Sequence, residues 1–206
     1  MPKQVDHEQR RRMITEALCR LASTSGLEGV SLGQVAAEAG VSKGLVQHYF
    51  HSKDQMLLYA TGYLRERVER RITELVDSAD SDPRARLRAI LAALLPTDDA
   101  SRTQALVANA FFIRALTDPV LASLFRRGNA LLRGAIAMQI RASQRDVAPL
   151  LDLDPVREAD ILLALVGGLG NALLLRQQTP AAAMAILDDQ LDRGVIAPHH
   201  SASLLK

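Results

Sequence analysis

Apolar residues recur along the chain at the spacing of amphipathic helices. Near the N-terminus, Ile14, Ala17, Leu18 and Leu21 follow one another at intervals of three or one. On a helix of 3.6 residues per turn, these four side chains share one face. The spacing therefore predicts an N-terminal helix with one buried side, and similar apolar spacing farther along predicts a helical bundle.

Four residue pairs mark the beginnings of later helices. In each pair a side chain that can cap a helix precedes a proline, whose missing N–H costs nothing in the first helical turn. The pairs are Asp82-Pro83, Asp118-Pro119, Asp154-Pro155 and Thr179-Pro180.

Together these signals predict an all-α fold of about nine helices. The composition agrees, since Ala, Leu, Arg, Glu and Gln dominate, whereas Trp is absent and Tyr and Phe number only three and four. A hydrophobic content of 48% allows a sizeable core, and 23% charged residues argues against disorder. The predicted ranges are about 6–25, 31–39, 42–49, 53–78, 83–95, 101–116, 119–145, 155–177 and 180–193.

The net charge of +2 is small, but it is concentrated at one end of the chain. Residues 1–53 contain seven Lys and Arg against five Asp and Glu, together with three of the five histidines. This excess does not establish nucleic-acid binding. It indicates that the N-terminal end would face a phosphate backbone.

Several classes of protein are disfavoured. Cys19 is the only cysteine, which fits a reducing cytosol. The polar N-terminus lacks a signal-peptide core, and the longest apolar run, 161–175 with Asn171 inside it, falls short of the ~18–20 residues of a membrane span. No nucleophile elbow, phosphate loop, zinc-hydrolase motif or dinucleotide fingerprint is present. We therefore expect a cytoplasmic protein that is not an enzyme and has no metal or cofactor.

The stretch from Ser31 to Lys53 has the spacing of a helix-turn-helix. Ser31 and Gln34 form the pattern of a capping box for one short helix. Gly40 stands where a left-handed turn residue is needed, and Ser42 can cap a second short helix. Burial of Leu45, Val46 and Phe50 would turn Lys43, Gly44, Gln47, His48 and Tyr49 outward.

This helix-turn-helix segment resembles that of the tetracycline-repressor (TetR) family of transcriptional regulators. The resemblance covers about the first 60 residues and is carried by VSKGLVQHYFHSKDQMLL, residues 41–58. It implies a three-helix DNA-binding domain at 1–53, a helical ligand-binding and dimerisation domain at 54–195 and a flexible tail at 196–206.

The resemblance also implies which residues meet DNA. Phosphate or backbone contacts are expected from Ser31, Ser42, Lys43, Tyr49 and Lys53. Gly44, Gln47 and His48 would lie nearest the base edges. Many members of the family have Tyr-Tyr-His before the phenylalanine, whereas this chain has Gln47-His48-Tyr49. Which of these three side chains reads a base is therefore left open.

The last two predicted helices are candidates for a subunit interface. The segment from Ile161 to Leu175 is apolar nearly all round and contains Gly167, Gly168 and Gly170, which let two helices approach closely. Packing inside a single subunit is the alternative. The final stretch, GGLGNALLLRQQTPAAAMAILDDQLDRG, resembles the choline-responsive, BetI-like branch of C-terminal domains.

A ligand pocket is expected in the C-terminal bundle, where polar groups interrupt apolar helices. With so few aromatic rings, a cage for a quaternary ammonium group is disfavoured, and a largely apolar small molecule is the expected effector. The main candidate pocket residues are Gln104, Asn109, Phe112, Arg133, Gln139 and Asn171. Further candidates are Arg114, Phe111, Phe125 and Met138.

The sequence thus predicts a dimeric, ligand-responsive repressor that binds a palindromic DNA operator and is released by a small molecule. Two alternatives stay open at this stage. One is a helical carrier or enzyme that keeps the fold without binding DNA. The other is an interaction module that binds another protein through its apolar helices.

Overall fold

The computed structural model describes residues 2–79, 82–144 and 154–194, and every regular element in these ranges is a helix. The predicted tail at 196–206 lies outside the described residues. The helices are α1 (Pro2–Ser25), α2 (Leu32–Glu38), α3 (Lys43–Tyr49), α4 (Lys53–Asp77), α5 (Pro83–Ala93), α6 (Asp99–Ala115), α7 (Pro119–Gln144), α8 (Pro155–Leu174) and α9 (Pro180–Gly194). The all-α prediction is confirmed.

All four predicted capping residues cap the helices that follow them. The side-chain oxygens of Asp82, Asp118, Asp154 and Thr179 accept hydrogen bonds from backbone N–H groups two or three residues later, at 2.9–3.2 Å. Each bond satisfies an N–H group that has no partner inside its own helix. These local signals explain why most of the predicted boundaries agree with the structure.

Four boundaries differ from the prediction by two residues or more. α5 ends at Ala93 rather than near 95. α1 begins at Pro2 rather than near Asp6. α6 begins two residues earlier than predicted, because Asp98 accepts a bond from the backbone N–H of Ser101 at 2.7 Å and so acts as the cap. α8 ends at Leu174 rather than near 177, because Arg176 adopts a left-handed φ of 56° that a helix does not allow.

One compact unit combines the described residues up to Arg70 with Asp98–Gly128. It contains α1–α3, most of α4, α6 and the start of α7. Its core is built from fully buried side chains, the largest of which are Ile14, Leu18, Phe50, Met56, Leu57, Phe111 and Leu121.

A second compact unit combines Arg71–Thr97 with the described residues from Asn129 onward. Its buried core draws on α5, α7, α8 and α9, with Leu87, Leu91, Ile136, Ile140, Leu162 and Leu187 among its members. Two ion pairs one helical turn apart connect α5 to α9. Arg88 forms a two-pronged bond with Asp188 at 2.6 and 3.0 Å, and Arg84 pairs with Asp192.

Within the ranges described, no helix has both the length and the apolar character needed to cross a membrane.

Candidate nucleic-acid interface

The predicted helix-turn-helix is present in the first unit. Gln34 N donates to the Ser31 hydroxyl at 3.3 Å and Ser31 N donates to Gln34 Oε1 at 2.8 Å, which completes the capping box of α2. Gly40 has a φ of +67°, in the left-handed region that a residue with a Cβ avoids. Val41 N then donates to Ala36 O at 3.0 Å and closes the turn into α3.

The recognition helix α3 is held by its inner face. Val46 within it and Phe50 directly after it are completely buried, and Leu45 is half-buried. On the opposite side, Lys43, Gly44, Gln47 and His48 are exposed, where the prediction placed them. An outer face that carries an ammonium, an amide and an imidazole can contact both phosphates and base edges.

The two serines that were expected to contact DNA phosphates also form hydrogen bonds within the protein. Ser42 caps α3 by accepting a bond from Leu45 N at 3.1 Å, and the Ser31 hydroxyl is engaged with Gln34. Both serines are nevertheless exposed at the beginnings of α3 and α2. A phosphate contact by either serine stays a prediction.

Tyr49 is less outward-facing than the sequence suggested. It is half-buried, and its ring centroid lies 4.6 Å from that of His7 and 5.2 Å from that of His48. The ring therefore connects the beginning of α1 with the end of α3. Its role at the DNA backbone is untested and stays a prediction.

Lys53 forms hydrogen bonds within the protein that the sequence did not predict. It is half-buried at the start of α4, and its Nζ donates to Leu27 O at 3.0 Å and lies 3.4 Å from Glu28 O. These bonds fasten the start of α4 to the loop between α1 and α2. Ser52 caps α4 by accepting a bond from Gln55 N at 3.1 Å. Whether Lys53 also meets a phosphate stays a prediction.

Arg11 is a supporting residue that the sequence analysis missed. Its guanidinium carbon lies 5.0 Å from the centroid of the Phe50 ring and 4.3 Å from that of Tyr59. Cation–π contacts of this kind hold an aromatic ring from one side. Arg11 therefore supports the ring that anchors the end of α3. A basic run alone does not distinguish such a residue from one that faces solvent.

Two tyrosines of α4 connect it to α1. Tyr59 donates a hydrogen bond to Glu8, and Tyr63 donates to Glu16 Oε1 at 2.9 Å. Desolvation, assisted by the bond to Glu8, raises the pKa of Tyr59 to about 12. Desolvation also raises the pKa of Tyr63, and the bond to Glu16 adds to it. Both hydroxyls keep their protons at neutral pH and act as donors.

The predicted pocket residues are distributed over both units. In the first unit, Gln104 is half-buried, Asn109 is exposed, and Phe112 is 51% exposed with its ring 6.0 Å from that of Phe125. Those of the second unit are Arg133 and Gln139, both half-buried, and Asn171, which is exposed.

Of these six residues, only Asn109 lines the cleft of the first unit that α1, the loop before α2, α4 and α6 form. Arg133 lies 3.6 Å from Asp160, so it already has a partner. Ligand binding by the six residues stays a prediction. In the described part of the chain, no three His, Cys, Asp or Glu side chains gather as metal ligands.

Two family models match the chain. Residues 14–60 match the model of bacterial regulatory proteins of the tetR family, and residues 83–195 match the C-terminal model of BetI-type transcriptional repressors. The HTH-type transcriptional regulator BetI of Burkholderia cenocepacia is 31% identical over 195 residues, which cover 93% of this chain and 97% of that protein. The regulator PksA of Bacillus subtilis is 39% identical over 99 residues, 48% of each chain.

Solved structures agree with these matches. A transcriptional regulator from Rhodococcus sp. Rha1 is 33% identical, with a TM-score of 0.77 over 88% of this chain and 93% of that one. A transcriptional regulator from Saccharomonospora viridis, solved in complex with choline, is 26% identical, with a TM-score of 0.83 over 93% of this chain and all of its own.

The two lysines of the site should differ in their effect on stability. Lys53→Met removes the ammonium that binds the two loop carbonyls, so we expect it to lower the free energy of unfolding by about 1–2 kcal/mol. Lys43→Met changes an exposed side chain and should stay within about 0.5 kcal/mol of the parent protein. Urea denaturation followed by circular dichroism measures both. Equal stability of the two variants would contradict the internal role of Lys53.

Proposed function

Because this chain belongs to the TetR family of bacterial transcriptional regulators, we propose that it is a dimeric repressor that leaves a palindromic operator when a small molecule binds. The proteins that match it are regulators rather than enzymes. The observation that carries the proposal is the division of α3 into a buried face and an exposed face. Val46 is buried on the first, and Lys43, Gln47 and His48 are exposed on the second.

The exposed face of α3 has chemistry suited to the major groove. Gln47 can form two hydrogen bonds with an adenine, and Lys43 can meet a phosphate or a guanine. Gly44 has no side chain and would let the backbone approach the duplex. In this proposal, residues 1–53 make the DNA contacts, and residues 54–195 bind the ligand and the second subunit. A regulator of chromosomal genes would work in the cytoplasm.

A second copy of the chain is proposed to pack on α8 and α9. From Ile161 to the residue directly after α8, the exposed positions follow one another at intervals of one to four residues, and all except Asn171 carry small or apolar side chains. These positions are Ile161, Ala164, Gly167, Gly168, Asn171 and Leu175. On α9, Ala181, Ala185 and Ile186 are exposed in the same way.

These exposed positions of α8 and α9 form a stripe of mostly apolar surface. In a single subunit this surface would stay in water, whereas packing against a second copy would bury it. A Cβ added at Gly167 or Gly168 meets no heavy atom within 4 Å in this chain. In a two-fold dimer on a palindromic operator, the two α3 helices would enter successive major grooves ~34–36 Å apart.

The effector proposed for this repressor is largely apolar. The S. viridis regulator was solved in complex with choline. In this chain, however, residues 54–195 contain two Tyr, three Phe and no Trp. Both tyrosines are bonded to glutamates of α1, and Phe111 is completely buried. These residues leave few rings for a cage around a quaternary ammonium group.

Substitutions of Lys43 and Gln47 should affect DNA binding in different ways. Lys43→Ala should weaken binding to operator and unrelated DNA alike, and should lower the slope of log affinity against log salt by about one. Gln47→Ala should cost about 1–3 kcal/mol on operator DNA alone, because it removes a base contact. Fluorescence anisotropy with the intergenic DNA beside its own gene measures both effects.

Arg126→Gln serves as the control, because Arg126 is an exposed arginine outside the helix-turn-helix. It should bind operator as the parent protein does. Operator affinity that is the same in Lys43→Ala, Gln47→Ala and the control would refute the proposed interface.

The subunit interface can be tested with a matched pair of glycine substitutions. Gly168→Glu places a carboxylate in the middle of the α8 stripe and should shift the protein from dimer to monomer, because burying an unpaired charge is costly. Gly134→Glu changes an exposed glycine of α7 with equal room around it and should leave the dimer intact. Sedimentation velocity reports the state of each variant, and a dimeric Gly168→Glu protein would rule out this interface.

A further inference from the structure

The first unit contains a cleft of about 470 Å³ beside the helix-turn-helix. The end of α1, the loop before α2, the start of α4 and the middle of α6 line it, and all of its lining residues belong to this unit. The volume falls within the range of small-molecule sites, about 300–1,000 Å³. Of the pocket residues predicted from the sequence, Asn109 and Arg114 line it.

One side of the cleft is apolar. Leu57 and Leu106 line it, and Ile113 contributes a side chain that is 60% exposed. An aliphatic side chain this open to solvent gains free energy when an apolar ligand covers it. The cleft therefore favours a ligand with a hydrocarbon body.

The charged groups at the cleft are two cations and one anion. They are Lys53, Arg114 and Glu28. The Lys53 ammonium has three N–H donors, and the Leu27 and Glu28 carbonyls take two of them. Arg114 Nε is 3.9 Å from Asp118 Oδ2, too far for a hydrogen bond, while Asp118 Oδ1 caps α7. Both cations thus keep donors for a ligand.

We propose that this cleft binds a small carboxylate with an apolar body, one molecule per subunit. The carboxylate meets the Arg114 guanidinium and the third donor of Lys53, and the hydrocarbon part lies along Leu57, Leu106 and Ile113. A quaternary ammonium ligand is disfavoured because it has no acceptor for the donors of Lys53 and Arg114. Asn109 supplies an amide at the same surface.

Binding at this cleft is expected to reach the recognition helix through Lys53. Once it is paired with the third donor, the carboxylate draws the ammonium toward Arg114 and away from the carbonyls of Leu27 and Glu28, which lie in the segment leading into α2. Gly26, with a φ of +71°, forms the joint between α1 and that segment. Since the ligand favours the arrangement in which Lys53 has left the loop, it lowers operator affinity. This part rests on the proposed repressor function.

Isothermal titration of the full-length dimer with sodium octanoate, kept below its micelle concentration, tests the site. Octyltrimethylammonium is the matched cation. One octanoate should bind per subunit, and the cation should bind at least about tenfold more weakly. Arg114→Gln should weaken octanoate binding about tenfold, because it removes the charged donor but keeps a polar side chain. Arg126→Gln should change it by less than about twofold.

Leu106→Trp fills the apolar side of the cleft and should abolish binding, provided that circular dichroism shows the fold unchanged. Arg114→Gln changes an exposed residue of α6 and tests the site independently of that variant. Absence of octanoate binding overturns the proposal. So does binding that Arg114→Gln leaves unchanged, or equal affinity for octyltrimethylammonium.

The link to DNA is measured separately by operator binding with and without saturating octanoate, where we expect a loss of at least about fivefold. An unchanged operator affinity overturns the link to DNA. A protein that binds operator but no octanoate refutes this site and leaves the repressor proposal standing. A protein that binds octanoate as described but no operator refutes the repressor proposal instead.

Discussion

The position of the recognition helix depends on the burial of Val46 and Phe50. A helix of seven residues is too short to be stable in water, because nucleating a helix costs more than a few hydrogen bonds return. α3 therefore exists because Val46 and Phe50, both completely buried, join a core supplied by α1 and α4. The same packing that makes α3 helical also determines which side chains it presents outward. Stability and DNA recognition are thus coupled within one short segment.

Several contacts around this core hold it in a single arrangement. Gly40 allows the tight left-handed turn between α2 and α3, and Arg20 pairs with Glu38 at 2.6 Å to connect α1 with α2. Arg11 covers the ring of Phe50, and Lys53 ties α4 to the loop that leads into α2. Because α1 contacts the end of α3 through Arg11 and α4 contacts the loop before α2 through Lys53, a change in either helix can reach the DNA-binding surface. The cleft beside Lys53 lies at the place where a ligand could use this connection.

Local signals explain what could be predicted from the sequence. The caps at Asp82, Asp118, Asp154 and Thr179, the capping box at Ser31 and the glycine turn all involve neighbours within a few residues. A capping side chain before a proline, or a glycine between two short helices, is typical of one local structure, so the residue types alone indicate that structure. The outward face of α3 followed from the same logic, since helical spacing separates Val46 from Lys43 and Gln47.

Contacts between distant segments could not be predicted in this way. Nothing near Lys53 in the sequence indicates that its ammonium binds a carbonyl 26 residues earlier. Arg11 is one of three consecutive arginines, and the apolar spacing of α6 does not show that this helix packs beside α1 and lines a cleft. Such contacts depend on how helices pack, which apolar periodicity leaves open. This is why most of the predicted pocket residues, Asn109 and Arg114 excepted, lie away from the cleft.

The central claim is that α3 enters the major groove, and dimethyl sulfate protection tests it most directly. The reagent methylates guanine N7, which lies in the major groove, and adenine N3, which lies in the minor groove. With the operator bound, we expect two groups of protected guanines. Their centres should lie ~10 base pairs apart, or a multiple of that spacing. Protection confined to adenine N3, or guanines that react as they do in free DNA, would contradict it.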